Sequence, residues 1–181
     1  MTAMRTTLSG AGLVADDLDD FPEDGHRYEL VDELLLVSSA PSEEHQVMVG
    51  NLLVLLSLTA PSTMRVLTAP VDVRFTPTRQ LQPDLLVRAG RHLGRPRTDV
   101  PLLAVEVLSP GTRRHDLELK REVYAAGGVP SYWVCDPLEP SVTVLELVDG
   151  VYVETGRATG EQVVAVAAPY AVELVPARLL D

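Results

Sequence analysis

Three charged side chains stand where charge is costly. Asp84 opens the apolar run PDLLV, and Glu106 is the only charged residue between Leu102 and Arg113. Lys120 is the only lysine of a chain that otherwise uses arginine for positive charge. A carboxylate in an apolar segment is unfavourable unless something pairs with it, because burial penalises the ionised form.

The combination of these residues is more specific than any one of them. Asp84 could simply close a turn after a proline. Glu106 could point outward from an edge strand or pair with an arginine, and Lys120 could form a helix-surface ion pair with Asp116, four residues earlier. Two carboxylates on adjacent strands, however, repel each other unless a cation lies between them. Mg²⁺ prefers such oxygen ligands and usually keeps waters as its other ligands.

Local patterns predict the elements that must position these side chains. Ser42 can cap a helix from about Ser42 to Leu58, because its hydroxyl can accept from free backbone amides. A second helix, Arg113–Ala126, carries Lys120 and ends before two glycines. Val- and Leu-rich runs predict strands at Met64–Thr68, Val71–Phe75, Pro83–Val87, Leu102–Leu108 and Ser131–Asp136.

The ends of the chain add β-structure and an acidic lead-in. The segment Tyr28–Ser38 suits a hairpin, and Asp149-Gly150 favours a tight turn between Val142–Val148 and Val151–Glu154. This order of elements indicates a mixed α/β sandwich. We expect residues 1–24 to form a loosely ordered acidic lead-in and residues 25–181 to form a single domain.

Composition limits the setting and the function class. The chain has 181 residues, 46% of them hydrophobic, and a formal net charge of −11. That charge argues against broad nucleic-acid binding, although residues 65–121 are net positive between acidic ends. The lone Cys135 favours a reducing, cytoplasmic location. The uncharged segment 46–64 is broken by polar residues, which favours a buried helix over a membrane span.

Longer stretches of the sequence resemble a known family. The segments YELVDELL, SSAPSEEHQVMV, QPDLLV and VEVLSPGTRRHDLELKREVYAAGGVPSYWVCDP are similar to the PD-(D/E)XK nuclease superfamily, and within it to bacterial restriction-endonuclease-like proteins. The resemblance spans residues 28–137. It implies an α/β restriction-endonuclease-like fold with an αβββαβ core, a mixed central sheet flanked by helices, and a C-terminal β-hairpin extension.

The resemblance also implies roles for individual residues. Pro83-Asp84 matches the PD element, and Glu106 matches the second acid. The usual lysine position, two residues after that acid, is occupied by Leu108, and the lysine function moves to Lys120 on the next helix. Asp116 belongs to the same pattern and could orient that lysine. The superfamily often places an acidic residue on its first helix, and Glu44 or His45 could fill that place, of which His45 fits the pattern better. His45 could contact water, metal or phosphate, or it could have a structural role at the start of the helix.

The implied activity is a Mg²⁺-dependent cleavage of DNA, with Mn²⁺ as a substitute. Asp84, Glu106 and the backbone carbonyl of Val107 would hold the metal, and a homodimer is expected because a duplex offers two strands. We expect the segment Arg88–Asp99 to form an exposed loop. The basic side chains of Arg88–Arg97 and of Arg113-Arg114 could contact phosphates or simply be solvated. The alternatives are an inactive nuclease-fold binding or regulatory protein and a metal-dependent hydrolase of another phosphate ester.

Overall fold

The computed structural model describes residues 5–90 and 98–181, with the side chains of residues 5–7 left out. Within these residues the chain forms strands, two α-helices and short helical turns. The helices are α1 (Glu43–Thr59) and α2 (Lys120–Ala126), and a π-helical turn (His115–Leu119) leads into α2. The strands are β1 (Arg5–Ser9), β2 (Arg27–Val31), β3 (Leu34–Ser38), β4 (Met64–Thr68), β5 (Val73–Thr76), β6 (Arg79–Leu81), β7 (Leu85–Ala89), β8 (Leu103–Val107), β9 (Ser131–Asp136), β10 (Ser141–Val148), β11 (Val151–Thr159), β12 (Val164–Val166) and β13 (Val172–Leu174).

A six-stranded mixed sheet forms the centre of the protein. Its strand order is β11-β10-β9-β8-β7-β4, and β8 and β9 are parallel whereas the other neighbours are antiparallel. Helix α1 lies between β3 and β4 in the chain, and α2 lies between β8 and β9. The two helices pack on opposite faces of the central sheet. Met48 and Leu52 of α1 share one core with Trp133, and Tyr124 of α2 shares the other with Tyr132. The predicted αβββαβ core, formed by α1, β4, β7, β8, α2 and β9, is therefore confirmed.

The start of α1 follows from its sequence. The Ser42 hydroxyl accepts from the backbone N–H of His45 at 3.4 Å, and two glutamates lie in the first turn, near the positive end of the helix dipole. Met48, Val49, Leu52 and Leu56 are buried on the sheet side, as expected from their spacing. None of the described helices is both long and apolar enough to span a membrane.

The C-terminal extension is built on the predicted hairpin. Asp149 and Gly150 have φ angles of 50° and 81°, the left-handed values that a tight turn between β10 and β11 requires. The extension continues into a two-stranded sheet of β12 and β13, which the sequence patterns did not indicate. Val164 and Leu174 of this pair add to the core on the α1 face.

A second sheet, of order β1-β3-β2-β6-β5, was not predicted. Only its β2–β3 hairpin and β5 were expected, because β6 has three residues and β1 lies in the supposed lead-in. The described part of the supposed lead-in, residues 5–24, therefore packs against the domain more closely than its acidity indicated. Strand β1 pairs with β3, and Ala15 is fully buried in a 3₁₀ turn, Ala15–Asp20. The domain boundary at residue 25 stays a prediction.

One local prediction concerns the exposed loop expected from Arg88 to Asp99. Arg88 lies in β7 rather than in a loop, and its buried side chain donates to the carbonyl of Asp72 at 3.3 Å. Residues 91–97 of the supposed loop lie outside the described residues. Tyr132 and Trp133 are fully buried core residues of β9.

Candidate active site

Asp84 lies immediately before β7, with its carboxylate almost fully buried. Its Oδ1 accepts from Nη1 of Arg27 at 2.9 Å, and its Oδ2 accepts from the backbone N–H of Val107 at 2.8 Å. The Nε2 atom of His45 lies 3.2 Å from the same Oδ2. Asp84 therefore links the N-terminal turn of α1, the end of β8 and the start of β2, and it does not merely close a turn.

The surroundings of Asp84 hold it in the ionised form. Burial by itself raises the pKa of a carboxyl group, because the charged form loses hydration. Here the positive charge of Arg27 and the contact with His45 outweigh burial, and the pKa of Asp84 lies well below its usual range. The aspartate consequently keeps its negative charge across the neutral pH range.

Glu106 lies in β8, a central strand of the sheet, and its side chain is buried. Its Oε1 accepts from the ammonium of Lys120 at 3.0 Å and from the hydroxyl of Tyr124 at 2.6 Å. Burial raises the pKa of Glu106 above its usual range; Lys120 opposes this shift, and the negative charge of Asp84 adds to it. The suggestion of an outward-pointing edge residue is wrong, and the partner is a lysine rather than an arginine.

Lys120 lies at the centre of a buried cluster of carboxylates. Its Nζ lies 2.9 Å from Glu29, 3.0 Å from Glu106 and 3.4 Å from Asp116, and only 2% of the side chain is exposed. An ammonium has three N–H donors, and here three carboxylates surround it. The predicted pair with Asp116 is therefore present, but it is buried under the sheet rather than on the helix surface.

The π-helical turn positions Asp116 for this contact. Asp116 is buried, and its Oδ2 accepts a short hydrogen bond from the hydroxyl of Thr112. Its backbone carbonyl accepts from the hydroxyl of Tyr132 at 2.7 Å, and Thr112 in turn shares a hydrogen bond of 3.0 Å with Ser109. These contacts fix the carboxylate on the side of the helix that faces β8.

His45 is the first-helix residue that enters the site. Its ring is buried beside Asp84, whereas Glu44 is exposed. The Nδ1 atom of His45 is buried without a hydrogen-bond partner among the described residues. A buried ring nitrogen without a partner usually indicates a missing water or ligand, because burying a polar atom unpaired is costly.

These side chains line one cleft with a volume of about 330 Å³. The structure brings together every residue singled out from the sequence as a preferred site residue: His45, Asp84, Glu106, Val107, Asp116 and Lys120. Arg27 and Glu29 also line it, and Tyr124 supports it from the core. The convergence is a structural fact, and the chemical roles of the residues stay predictions.

Sequence reasoning missed Arg27, Glu29 and Tyr124. Glu29 carried a usable signal, because it is a carboxylate within the first apolar pulse of a predicted hairpin, in the same way that Glu106 is one within β8. Its Oε1 also accepts from the backbone N–H of Gln82 at 3.0 Å. Arg27 gave no comparable signal, since its partner Asp84 is 57 residues away.

The donor types in the cleft fit a divalent cation. Four acidic side chains, of Glu29, Asp84, Glu106 and Asp116, line the cleft together with the basic side chains of Arg27 and Lys120, so acidic groups outnumber these two basic groups. In residues 5–90 and 98–181, no three His, Cys, Asp or Glu side chains are already grouped as a metal site. Mg²⁺ needs only one or two carboxylates, because it usually retains waters. The unpartnered Nδ1 of His45 is consistent with such a hydrated ion or with water alone.

A solved structure shows the same fold. A crystal structure described as "a putative nuclease belonging to DUF820" from Anabaena variabilis ATCC 29413 superimposes with a TM-score of 0.73. The match covers 93% of this chain and 97% of that chain, at 16% sequence identity. The fold is thus restricted neither to this sequence nor to close relatives of it.

A family model identifies the group to which this chain belongs. The model of the Uma2 family, described as "Putative restriction endonuclease", matches residues 15–176. This chain belongs to that family, as the resemblance of the sequence motifs indicated. A comparison with curated proteins found no match.

Proposed function

We propose that this protein is a Mg²⁺-dependent endonuclease that hydrolyses phosphodiester bonds of DNA, with Mn²⁺ as a possible substitute. The observation that carries the proposal is the convergence of Asp84, Glu106 and Lys120 on one cleft in which buried carboxyl groups outnumber basic side chains. Buried charges are costly, so a fold that brings together four carboxylates and two cations at a cleft points to a functional site.

Asp84, Glu106 and the Val107 carbonyl are the residues that would hold the cation. When bound, Mg²⁺ supplies a water of lowered pKa and neutralises charge on the scissile phosphate. Lys120 would orient the attacking water or stabilise the additional charge of the pentavalent transition state. Asp116 and Glu29 position that lysine, at 3.4 and 2.9 Å from its Nζ.

His45 would act next to these residues. Its Nε2 lies 3.2 Å from one oxygen of Asp84, and its buried Nδ1 has no hydrogen-bond partner among the described residues. The backbone N–H of His45 also donates to the Ser42 hydroxyl at the start of α1. The backbone of His45 thus belongs to the first turn of α1, while its side chain contacts Asp84 in the cleft.

The substrate and the assembly belong to the same proposal. Arg113 and Arg114 could contact phosphates, although each already pairs with a carboxylate, of Asp136 and Glu118 respectively. The buried Arg88 is not available for such a contact. A homodimer in the cytoplasm remains our expectation, because two copies of one cleft can address the two strands of a duplex.

The proposal is tested by nicking of supercoiled plasmid in Mg²⁺ or Mn²⁺. Wild-type protein should cleave, Glu106→Ala should not, and chelation by EDTA should stop the reaction. Glu118→Gln is the matched control, because it removes an exposed carboxylate from the neighbouring helical turn and leaves the cleft unchanged. Equal cleavage by wild type and Glu106→Ala would remove the assignment.

One observation favours a second candidate, an inactive nuclease-fold protein that binds or regulates. Lys120 is enclosed by three carboxylates and is almost fully buried, an arrangement that would also suit a purely structural cluster. This candidate predicts DNA binding without cleavage by wild-type protein. A hydrolase of another phosphate ester would instead prefer a small generic phosphodiester over duplex DNA, and its activity would depend little on salt.

A further inference from the structure

Arg27 is the cation of the cleft that keeps unused hydrogen-bonding capacity. Its Nη1 donates to Oδ1 of Asp84 at 2.9 Å and to the carbonyl of Gln82 at 3.0 Å. A guanidinium has five N–H donors, and the described part of the chain accepts only these two bonds from it. The side chain is 24% exposed, so its other donors can meet a molecule in the cleft.

Lys120 differs from Arg27 in this respect. Its ammonium faces Glu29, Glu106 and Asp116, and it is only 2% exposed. An anion that enters the cleft therefore encounters Arg27 before it encounters Lys120. A planar guanidinium can also hold two oxygens of a phosphate at once, which an ammonium cannot do with the same geometry.

Arg27 is hydrogen-bonded to Asp84, which is one of the residues that the proposed function assigns to the metal. Asp84 accepts from Arg27 through Oδ1, while its Oδ2 is held by the backbone of Val107 and lies next to His45. A divalent cation that approaches Oδ1 would be repelled by the guanidinium, and it would weaken the attraction that holds the guanidinium there. Cation binding and the Arg27–Asp84 contact should therefore exclude each other.

We propose that Arg27 is a phosphate-binding residue of the cleft, which rests on Asp84 in the free protein and moves to a substrate phosphate when a divalent cation takes that carboxylate. The ligand class is a phosphodiester anion. The inference rests on the proposed function for the identity of the cation site, and it adds a residue and a rearrangement that the family motifs do not include.

The test is an Arg27→Gln variant measured in two assays. Mn²⁺ affinity, followed by electron paramagnetic resonance without DNA, should increase about tenfold, because a charged hydrogen bond no longer competes for Asp84. Affinity for a DNA duplex in Ca²⁺, which replaces Mg²⁺ to prevent cleavage, should fall about tenfold, because one phosphate contact is lost. A merely structural arginine would weaken both affinities, since its loss would deform the cleft.

Two further variants control the result. Arg79→Gln breaks the exposed pair between Arg79 and Asp32, which does not line the cleft, and should change neither affinity. Arg27→Lys keeps the charge without the planar fork. It should bind DNA severalfold more weakly than wild type, with Mn²⁺ affinity no weaker than that of wild type. This variant provides the decisive measurement if Arg27→Gln does not fold.

Each outcome bears on the inference. Opposite changes of the two affinities support it, whereas weakening of both, or unchanged DNA affinity, overturns it. Either of the latter results leaves the nuclease proposal intact if wild type still binds Mn²⁺ and cleaves plasmid. Wild-type protein that binds neither Mn²⁺ nor DNA would overturn both the inference and the proposed function.

Discussion

Replacement of Lys120 by methionine should be among the most destabilising single changes in this protein. Methionine roughly matches the length of the lysine stem but leaves Glu29, Glu106 and Asp116 facing one another without the ammonium between them. Removal of one partner from a buried ion pair costs about 3–5 kcal/mol, because the remaining charge is buried without compensation. A loss of that size is a large part of the 5–15 kcal/mol typical of a domain's total stability.

The expected loss of unfolding free energy corresponds to a measurable decrease of the thermal unfolding midpoint. For a chain of this length, 1 kcal/mol corresponds to about 2–4 °C in the unfolding midpoint, so Lys120→Met should lower the midpoint by about 6–20 °C. The measurement is thermal and urea unfolding followed by circular dichroism, with EDTA present so that no divalent cation replaces the lost charge. Urea unfolding gives the free energy directly, because its dependence on denaturant concentration is linear.

The matched control is Arg114→Met, which removes a cation from an exposed pair with Glu118 at the same spacing of four residues. Such exposed pairs contribute about 0.3–0.5 kcal/mol, so this variant should unfold almost as wild type does. If Lys120→Met cost no more than Arg114→Met, Lys120 would behave as a surface residue. The account of a buried carboxylate cluster would then be refuted.

Three further predictions concern the same region. Tyr124→Phe removes the hydroxyl that donates to Glu106 at 2.6 Å, and it should cost about 1–3 kcal/mol in urea unfolding; a neutral result would contradict that hydrogen bond. Mn²⁺ at about 100 times its Kd should stabilise wild type by about 2.7 kcal/mol but leave Asp84→Asn unchanged in a thermal-shift assay, and equal shifts would place the ion elsewhere. The Cys135 thiol is buried, and burial raises its pKa well above the usual range, so a thiol reagent should label it only after the protein is unfolded. Rapid labelling of the native protein would show that β9 is not covered as described.

The sequence predicted the elements whose signals are local. The cap at Ser42 and the spacing of apolar residues predicted α1 to within a residue at each end, and the Asp149-Gly150 turn predicted the hairpin of β10 and β11. Short, weakly patterned strands were missed. Strand β6 has three residues, and β1 lies in a segment whose acidic neighbours resemble a solvated tail.

Candidate chemistry was partly local as well. Asp84 and Glu106 could be identified because a charge within an apolar run requires an explanation, and Lys120 because the chain has no other lysine. The same reasoning could have found Glu29 in β2. The family motifs connected Asp84, Glu106 and Lys120 to metal-dependent phosphodiester cleavage. No motif states which partner each of these side chains contacts.

Only the tertiary structure decided which charges meet. The spacing of Asp116 and Lys120 is compatible with a surface pair, and it became a buried cluster because that side of the helix lies against β8 and receives Glu29 from the other sheet. The Arg27–Asp84 contact likewise joins residues 57 positions apart. Local patterns record whether a position is buried and how the backbone turns, because they depend on neighbours within a few residues. The partners of a buried charge depend on which strands and helices pack together, and the packing of the whole chain determines that.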